Sequence, residues 1–308
     1  MGKMAFLYAG QGSQNTGMGK DLYEAYPSYR VGFDSADLDF DLHEICFENP
    51  ENRLLQTEYT QPCMVAFACG VTNLLYEKGL KPDYTCGLSL GEYSALYAAG
   101  VWDAKTAIET AAFRGNAMAE ASGDLEVAMY AIINLDEEKL QECCEQASCM
   151  GVVSICNYNC PGQMVIGGQR VAVEKAVALA KEKGAKRCLP LGVSGPFHTS
   201  LMKPAGEKLS EYLSNIELSE MKIPVLFNYL GVERDNADIK DLLVKQIQSP
   251  VKMQSCIERL FELGVDRFVE IGPGNAISSF VRKTAKAISA CDYTVETIDT
   301  VEDVENVG

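Results

Sequence analysis

The chain has 308 residues, of which 47% are hydrophobic, and a formal net charge of −16. A chain of this length and composition can bury a large core as one domain or two. The strongly acidic balance argues against general binding to nucleic acid or to an anionic membrane, since both require basic protein surface. No apolar run approaches the roughly 20 residues of a membrane span, and the amino-terminus lacks the pattern of a signal peptide.

The twelve cysteines follow no disulfide or metal-binding pattern. No C-x-x-C pair occurs, and the spacing of Cys156 and Cys160 matches no common metal site. In a long chain without a signal peptide, most cysteines are expected to be reduced and buried. The sequence therefore predicts a cytoplasmic protein that holds no metal.

The first elements predicted are a buried strand, a glycine-rich loop and a buried helix. Residues 4–9 form a short apolar run typical of a first parallel strand. The loop 10–14 is not a dinucleotide fingerprint, because the third glycine of that motif would fall at Asn15. It is either a tight turn or a loop that brings its backbone and the Gln11 amide close to a ligand. A helix that is apolar on several faces is predicted to start at Gln61-Pro62 and to run to about Lys78.

The stretch Gly87-Leu88-Ser89-Leu90-Gly91 has the G-x-S-x-G pattern, which presents a serine on a sharp turn between a strand and a helix. The following residues 92–99 are rich in Ala and Leu and stop at Gly100, a typical helix end. A serine at a helix amino-terminus meets a dipole and unpaired N–H groups that favour developing negative charge. An ordinary strand–turn–helix connection is the alternative at this point.

A second helix is predicted over residues 103–121, and it carries Arg114 among Ala, Phe and Met residues. Lone arginines on helices are usually solvated or paired in a salt bridge. A functional role for Arg114 is therefore predicted only if this helix packs near Ser89.

Residues 125–191 show a different pattern, in which strands and helices alternate as β-α-β-β-α-β. This order is that of the ferredoxin-like motif and predicts a small subdomain inserted into the larger one. A tight turn is predicted at 157–162, between its central strands. The predicted elements are a strand at 127–135, a helix at 136–148, strands at 152–157 and 163–167, a helix at 170–183 and a strand at 187–191.

The sequence contains two histidines, His43 and His198. A nucleophilic serine needs a general base, and histidine suits neutral pH best. His43 lies in an acidic segment that is expected to be exposed. His198 lies in the segment 193–202, a Gly/Pro loop that opens a helix, so it is the predicted base.

The remaining residues return to alternating helices and strands, which completes an α/β pattern. The acidic tail 299–308 is expected to be frayed. The other predicted elements are strands at 223–227, 268–271 and 293–298, helices at 238–248 and 250–263, and a turn at 272–275 that leads into a helix ending near 286.

Taken together, these motifs resemble the malonyl-CoA:acyl carrier protein transacylase family, the acyltransferases that load bacterial fatty acid synthesis. The resemblance spans nearly the whole chain. It implies an α/β-hydrolase-like large domain (1–124 and 192–308) with an inserted ferredoxin-like subdomain (125–191) and an active site between them. The matching stretches are Gly10–Gln14, Gly17–Gly19, Gln61-Pro62, Gly87–Glu92, Arg114-Gly115, Asn157–Gln163, Gly195–His198, Gln246, Pro250-Val251 and Glu270–Gly274.

The resemblance implies a role for each catalytic residue. Ser89 would attack the malonyl thioester, with His198 as general base and later acid. The backbone N–H of Leu90, with help from Gln11, would form the oxyanion hole. The main-chain carbonyl of Gln246 would orient the histidine in place of an aspartate.

The resemblance also implies how the substrate is held. Arg114 would clamp the free malonate carboxylate in a planar, charge-assisted pair. Asn157 is a further predicted substrate contact, and the ring of Phe197 would crowd an α-methyl group and so disfavour methylmalonyl. One departure is Leu88, where the family usually has a histidine; we expect it to affect substrate fit and not the chemistry.

The implied partners are malonyl-CoA and, transiently, acyl carrier protein, with no cofactor, nucleic acid or membrane. The enzyme is expected to act as a monomer. Because acyl carrier protein is itself acidic, docking requires a local basic patch, although each candidate is as readily explained as a solvated charge run. The candidates are the cluster Lys181, Lys183, Lys186 and Arg187 and the cluster Arg282, Lys283 and Lys286.

Three alternatives remain at this point: a malonyltransferase of polyketide synthesis, a serine thioesterase or esterase, and an inactive docking subunit. Arg114 argues against the hydrolase, because a carboxylate clamp has little use for neutral esters. Intact Ser89 and His198 argue against the inactive subunit.

Overall fold

Two β-sheets organise the computed structural model, which describes residues 2–192 and 195–308. Val193 and Ser194, which open the predicted loop before His198, lie outside the described residues, as does Met1. The strands of the described part are β1 (Lys3–Tyr8), β2 (Tyr84–Gly87), β3 (Val127–Ile133), β4 (Val153–Cys160), β5 (Gln163–Gln169), β6 (Arg187–Pro190), β7 (Val225–Phe227), β8 (Val232–Glu233), β9 (Val265–Ile271) and β10 (Thr294–Ile298).

Most α-helices of the described part cover one or other face of these sheets. Shorter helical turns lie at Glu44–Glu48, Pro50–Leu55, Ser148–Met150 and Ser200–Met202. None of the described helices is long and apolar enough to cross a membrane. The helices are α1 (Lys20–Ala25), α2 (Pro27–Phe33), α3 (Thr57–Glu77), α4 (Gly91–Ala98), α5 (Ala104–Ser122), α6 (Glu137–Ala147), α7 (Arg170–Glu182), α8 (Lys203–Ser214), α9 (Ile239–Ile247), α10 (Met253–Glu262), α11 (Ala276–Ala287) and α12 (Val301–Asn306).

The larger sheet has the strand order β10-β9-β1-β2-β7-β8, and only β8 runs antiparallel to its neighbour. Residues 5–8 of β1 are fully buried, as the continuous apolar run predicts for a parallel strand covered on both faces. Because β1, β2 and β7 are adjacent and parallel, the loops that follow them meet at one edge of the sheet. Loops at this edge form the binding crevice of open α/β sheets.

The smaller sheet is antiparallel, with the order β4-β5-β3-β6. Ile132, Ile155 and Ile166 pack under α6 and α7, whereas Met129 and Val165 join the core of the large domain. This order and these two covering helices are those of the predicted ferredoxin-like motif. The predicted fold class, a hydrolase-like α/β domain with this insertion, is therefore confirmed, while the boundaries 125–191 stay a prediction.

The long helix α3 begins at Thr57, four residues before the predicted start at Gln61-Pro62. Its first turns are buried against α5, where Gly115 allows the close approach: a Cβ there would lie 2.8 Å from the Thr57 carbonyl oxygen. Tertiary packing has extended the helix past a proline that usually marks a first turn. The contact places Arg114, one residue earlier on α5, in the domain interior.

Strand β4 continues to Cys160, so the predicted tight turn at 157–162 is wrong in extent. Asn157 pairs with Val165 inside the sheet, and Pro161-Gly162 alone form the turn. The asparagine-rich composition suggested a turn, but pairing with β5 satisfies the backbone more fully. As a consequence, Asn157 sits on a rigid strand.

The predicted helix start at Pro250 is also wrong, since α10 begins at Met253. Val251 instead lies extended beside β4, where it accepts from the N–H of Tyr158 and donates to the carbonyl of Cys156. A β-branched residue after a proline suits this extended conformation. The bridge joins the small sheet to the large domain beside the cleft.

The acidic tail is ordered, contrary to the expectation of fraying. Residues 301–306 form α12, which opens with a capping box between Thr300 and Asp303. Val304 is fully buried and Val307 nearly so. The capping box and the burial of these two valines stabilise the short helix, although its acidic composition suggested a frayed tail.

Candidate active site

The turn that carries Ser89 joins β2 to α4 and depends on its two glycines. A Cβ at Gly87 would lie 1.9 Å from the carbonyl carbon of Gly91, and a Cβ at Gly91 would lie 2.1 Å from the carbonyl oxygen of Tyr8. Ser89 itself has φ of 52°, in the left-handed region that costs a non-glycine residue of the order of 1–3 kcal/mol. The turn is therefore the strained serine elbow that the pentapeptide predicted.

Ser89 and His198, the predicted nucleophile and base, form a hydrogen-bonded pair. The hydroxyl oxygen of Ser89 lies 2.6 Å from Nε2 of His198, and Nδ1 of His198 lies 2.8 Å from the main-chain oxygen of Gln246. A carbonyl can only accept, so Nδ1 carries the proton and Nε2 is free to act as the base. His198 also has a positive φ, of 61°.

Burial keeps His198 neutral. The side chain is almost completely inaccessible, and this desolvation, followed by the nearby charge of Arg114, lowers the pKa of His198 to about 4. The carbonyl of Gln246 acts in the opposite direction by stabilising the proton on Nδ1. At neutral pH the imidazole is therefore in the form that can accept the serine proton.

Arg114 reaches the same point from α5 and is buried to within 1%. One terminal nitrogen, Nη1, donates to Oε1 of Gln61 at 2.8 Å. The other, Nη2, donates to the hydroxyl oxygen of Ser89 and to Oε1 of Gln246, both at 3.1 Å. The guanidinium carbon lies 5.3 Å from the centre of the Tyr93 ring.

The charge of Arg114 has no carboxylate partner among the residues that the structure describes. Burial lowers its pKa, although an arginine stays protonated at any physiological pH. Glu92 acts on this charge without forming a salt bridge to it, and a buried cation that no carboxylate contacts is costly, so the site suits an anionic ligand. This arrangement satisfies the condition set by the sequence, that α5 pack near Ser89.

Asn228 and Glu92 are part of the site and were not predicted to be. Asn228 follows β7, and its Oδ1 accepts from the N–H of Ser89 at 2.6 Å while its Nδ2 donates to the carbonyl of Gly87 at 2.7 Å. The N–H of Asn228 donates to Oε2 of Glu92 at 2.6 Å. Burial raises the pKa of Glu92 to about 7. The adjacency of β7 and β2 brings them together, and no local sequence signal gives that adjacency.

A cavity of about 150 Å³ opens onto these groups from between the two sheets. Gln11 lies in its wall, held by a bond from the hydroxyl of Thr57 to its Oε1 at 2.7 Å. The N–H groups of Leu90 and Gln11 have no acceptor in the part of the chain that the structure describes. The walls are formed by Gly10, Gln11, Leu88, Ser89, Arg114, Met118, Met129, Asn157, Asn159, Val165, Leu191, Phe197 and His198.

The cavity brings together most of the predicted substrate contacts. Phe197 and Asn157 both line it, and so does Leu88, which also packs against a cluster of buried apolar residues on β1, β2, β9 and α10. Asn159 was named only as part of a matching stretch; it is 7% exposed, and its Oδ1 is buried without a hydrogen-bond partner. Alternation along a strand could have identified it, because residues two apart share a face.

His43 is not part of the site. Its Nε2 pairs with Oδ1 of Asp34 at 2.7 Å, and its ring stacks on Phe47. The structure also holds no cluster of three or more His, Cys, Asp or Glu side chains suited to a metal ion within the described residues. The twelve cysteines, all of them described, are unpaired.

The strained serine, its buried histidine and the donors at the helix start define an acyltransfer site, and comparison with known proteins agrees. A model of the acyl transferase domain family matches residues 5–305. The malonyl CoA-acyl carrier protein transacylase of Bacillus subtilis is 44% identical over 292 residues, which cover 94% of this chain and 92% of that protein.

Solved structures give the same result. That of the malonyl CoA-acyl carrier protein transacylase from Clostridium perfringens has a TM-score of 0.93 at 38% identity, covering 98% of this chain and 95% of that one. A type II polyketide synthase acyl carrier protein in complex with its malonyl-transacylase matches at a TM-score of 0.92 and 37% identity over 98% of each chain. The chain therefore belongs to the malonyl CoA-acyl carrier protein transacylase family, and the resemblance read from its motifs is confirmed.

Proposed function

We propose that this protein transfers the malonyl group of malonyl-CoA to the phosphopantetheine thiol of acyl carrier protein through a malonyl ester on Ser89. The observation that carries the proposal is the position of Arg114, a buried guanidinium 3.1 Å from the nucleophile and without a carboxylate partner among the described residues. A planar donor pair of this kind suits the free carboxylate of a malonyl group. A neutral acyl chain would leave it unpaired.

In the first half-reaction, Nε2 of His198 accepts the proton of Ser89 as the serine oxygen attacks the thioester carbonyl. The resulting oxyanion is bound by the free N–H groups of Leu90 and Gln11, beside the amino-terminus of α4. When the tetrahedral intermediate collapses, the carbon–sulfur bond breaks. The imidazolium returns its proton to the departing coenzyme A thiolate, and the malonyl group remains on Ser89.

In the second half-reaction, the same histidine takes the proton of the carrier protein thiol. The thiolate attacks the ester carbonyl, the bond to the Ser89 oxygen breaks, and His198 reprotonates the serine. Because the acyl donor and the acyl acceptor use one site in turn, the kinetics are ping-pong.

Two neighbours of the pair would set the acyl specificity. The ring of Phe197, 6% exposed, faces the cavity next to the histidine and restricts the space for an α-methyl group. Asn157 is held on β4 by pairing with β5 and presents an amide to the same cavity. Leu88 adds an apolar wall without a titratable group.

The carrier protein would dock where the two predicted basic clusters approach each other. Across the small sheet, Arg187 pairs with Ile133, which pairs with Gln163. Nζ of Lys283 donates to Oε1 of Gln163 at 2.9 Å, so α11 brings its cluster to the same end of this sheet. We refer to Arg187 and Lys283 as the basic end; both are exposed and can meet an acidic partner.

A track leads from the basic end to the cavity. Arg187, Leu189 and Leu191 alternate along the chain and share one face of the sheet. Leu189 and Leu191 are 45% and 37% exposed, and Leu191 lines the cavity. An acyl-carrying arm can therefore follow an apolar surface from a docked carrier protein to Ser89.

The role we propose is in fatty acid synthesis, with a monomer acting in the cytoplasm. Every proposed catalytic group comes from one chain, so no second subunit is needed to complete the site. Unpaired cysteines, nine of them buried, suit a reducing compartment. The similarity to the malonyl-transacylase of a polyketide synthase complex favours service to a polyketide carrier protein as the second candidate.

Intact-mass analysis tests the proposal. We expect malonyl-CoA to add one malonyl group to the enzyme, and the adduct to move to holo-acyl carrier protein when that is added. Ser89→Ala is the matched control and should remain unmodified. Loss of the adduct as free malonate, without transfer, would show a hydrolase instead, and carrier proteins from fatty acid and polyketide synthesis compared by kcat/KM would separate the two roles.

A further inference from the structure

Both peptide groups that flank Ser89 are held by side-chain amides from distant parts of the chain. The N–H of Ser89 donates to Oδ1 of Asn228 at 2.6 Å, and its carbonyl oxygen accepts from Nε2 of Gln246 at 2.8 Å. The two amide residues are fully buried. The main chain of Ser89 is thus fixed by residues at the ends of β7 and α9, in addition to the geometry of its own turn.

Asn228 acts across the turn. Besides binding the N–H of Ser89, it donates from Nδ2 to the carbonyl of Gly87 at 2.7 Å. One side chain therefore connects the last residue of β2 to the proposed nucleophile. Its own N–H is bound by the carboxyl group of Glu92, on the first turn of α4. The side chain of Asn228 is therefore tied to the turn, and its main chain to the first turn of α4.

Gln246 acts on the oxyanion hole. The carbonyl of Ser89 and the N–H of Leu90 belong to the same planar trans peptide, so their directions are opposite and fixed to each other. When Nε2 of Gln246 binds the carbonyl, it also sets the direction of the Leu90 N–H. The Oε1 atom of the same side chain accepts from Arg114 at 3.1 Å, and its main-chain oxygen binds His198.

We propose that the side chains of Asn228 and Gln246 are positioning residues that hold Ser89 in its left-handed conformation and aim the Leu90 N–H at the oxyanion. The inference rests on the proposed function for the role of Ser89 as nucleophile. It assigns to Gln246 a side-chain role beyond its main-chain contact with the histidine. Neither amide touches the reacting atoms.

Single-turnover malonylation of Ser89, followed by rapid quench and intact mass, tests the proposal. We expect Asn228→Leu to lower the rate constant about 10²-fold, since displacement of a reacting group by about 1 Å costs that much. The KM for malonyl-CoA should change less than about twofold, because Asn228 makes no contact with the arginine. Gln246→Met keeps the main-chain carbonyl and should lower the rate constant about 10²-fold through the misdirected N–H.

Thr72→Val is the matched control, because it removes a fully buried hydroxyl that bonds to the hydroxyl of Tyr8 and does not line the cavity. It should lower the Tm and leave the rate constant per folded molecule unchanged. Asn228→Ala serves if the leucine variant does not fold. Asn228 and Gln246 variants that react at the wild-type rate, or that lose rate only in proportion to the unfolded fraction as Thr72→Val does, would overturn the inference.

A second probe separates this inference from the proposed function. A fluorophosphonate labels any activated serine and needs no malonyl group, and we expect it to react about 10²-fold more slowly with both variants. If wild-type enzyme reacts with the fluorophosphonate but not with malonyl-CoA, the proposed function fails while the positioning role is still judged by this rate. Equal fluorophosphonate rates in all variants would overturn the positioning role alone.

Discussion

The guanidinium of Arg114 donates to the hydroxyl oxygen of Ser89 across 3.1 Å, so a buried cation rests directly on the proposed nucleophile. The same charge contributes to the low pKa of His198. An incoming carboxylate would exchange one of the Nη2 contacts, with Ser89 or with Gln246, for its own. The ligand would thereby free the serine oxygen as it binds.

Removal of this cation should discriminate between acyl groups. We expect Arg114→Ala to lower kcat/KM for malonyl transfer by about 10²–10³, the loss typical when one partner of a buried charge pair is truncated. Acetyl transfer, which has no carboxylate to bind, should fall less than about tenfold. Arg114→Lys should recover only part of the malonyl activity, because an ammonium group is not a planar fork. Equal losses for malonyl and acetyl transfer would contradict the clamp.

The acid limb of the reaction should lie far below the usual histidine range. Because the pKa of His198 is about 4, its neutral form persists well below pH 6.5. We expect protonation of His198 to lower kcat/KM for malonyl transfer by less than about 20% between pH 7.5 and pH 5. The measurement is best made in a Glu92→Gln background, which removes the titration of the neighbouring carboxyl. A limb centred near pH 6.5 would show that His198 is more exposed or better paired than this geometry indicates.

Glu92 should make stability depend on pH in the opposite sense to His198. Its folded pKa of about 7 lies above the unfolded value of 4.5, so the native state binds the extra proton and loses stability as pH rises through this window. The shift corresponds to about 3 kcal/mol. Glu92→Gln keeps an acceptor for the N–H of Asn228. Its free energy of unfolding, relative to that of wild type, should therefore increase by about that much as the pH rises from 4 to 8.

Urea denaturation at several pH values measures this difference. His198 has a folded pKa below its unfolded value, so it adds stability above pH 6.5 that is lost on acidification towards pH 4. In Glu92→Gln, the rise of stability with pH that His198 causes should appear without the opposite effect of Glu92. A stability difference between variant and wild type that does not change with pH would show that Glu92 is ionised throughout.

Charge reversal at the basic end should weaken carrier protein docking alone. We expect Arg187→Glu and Lys283→Glu each to raise the KM for acyl carrier protein several-fold at low salt, with the KM for malonyl-CoA unchanged, and the effect should shrink as salt is added. Lys81→Glu is the matched control, because Lys81 precedes β2 at the sheet edge opposite to Ser89. No change for either variant would exclude this docking surface.

The sequence by itself was enough to predict the residues that we propose carry the chemistry. The pentapeptide at 87–91 indicates a strained serine because glycines at both ends are needed by any turn that tight. With two histidines in the chain and one of them in an acidic segment, the sequence predicts His198 as the base. The β-α-β-β-α-β order of the subdomain could be predicted because strand and helix periodicities are local properties of the chain.

Only the tertiary structure decided how the reactive groups are held. Asn228 meets Ser89 across 139 positions and Gln246 meets it across 157, because separate strands and helices end at one edge of the large sheet. Periodicity predicts that such elements exist, but not which polar side chains face each other once they pack. The same reason explains the errors at Val251 and at the ordered tail: each is set by a partner strand or a buried contact that no local pattern records.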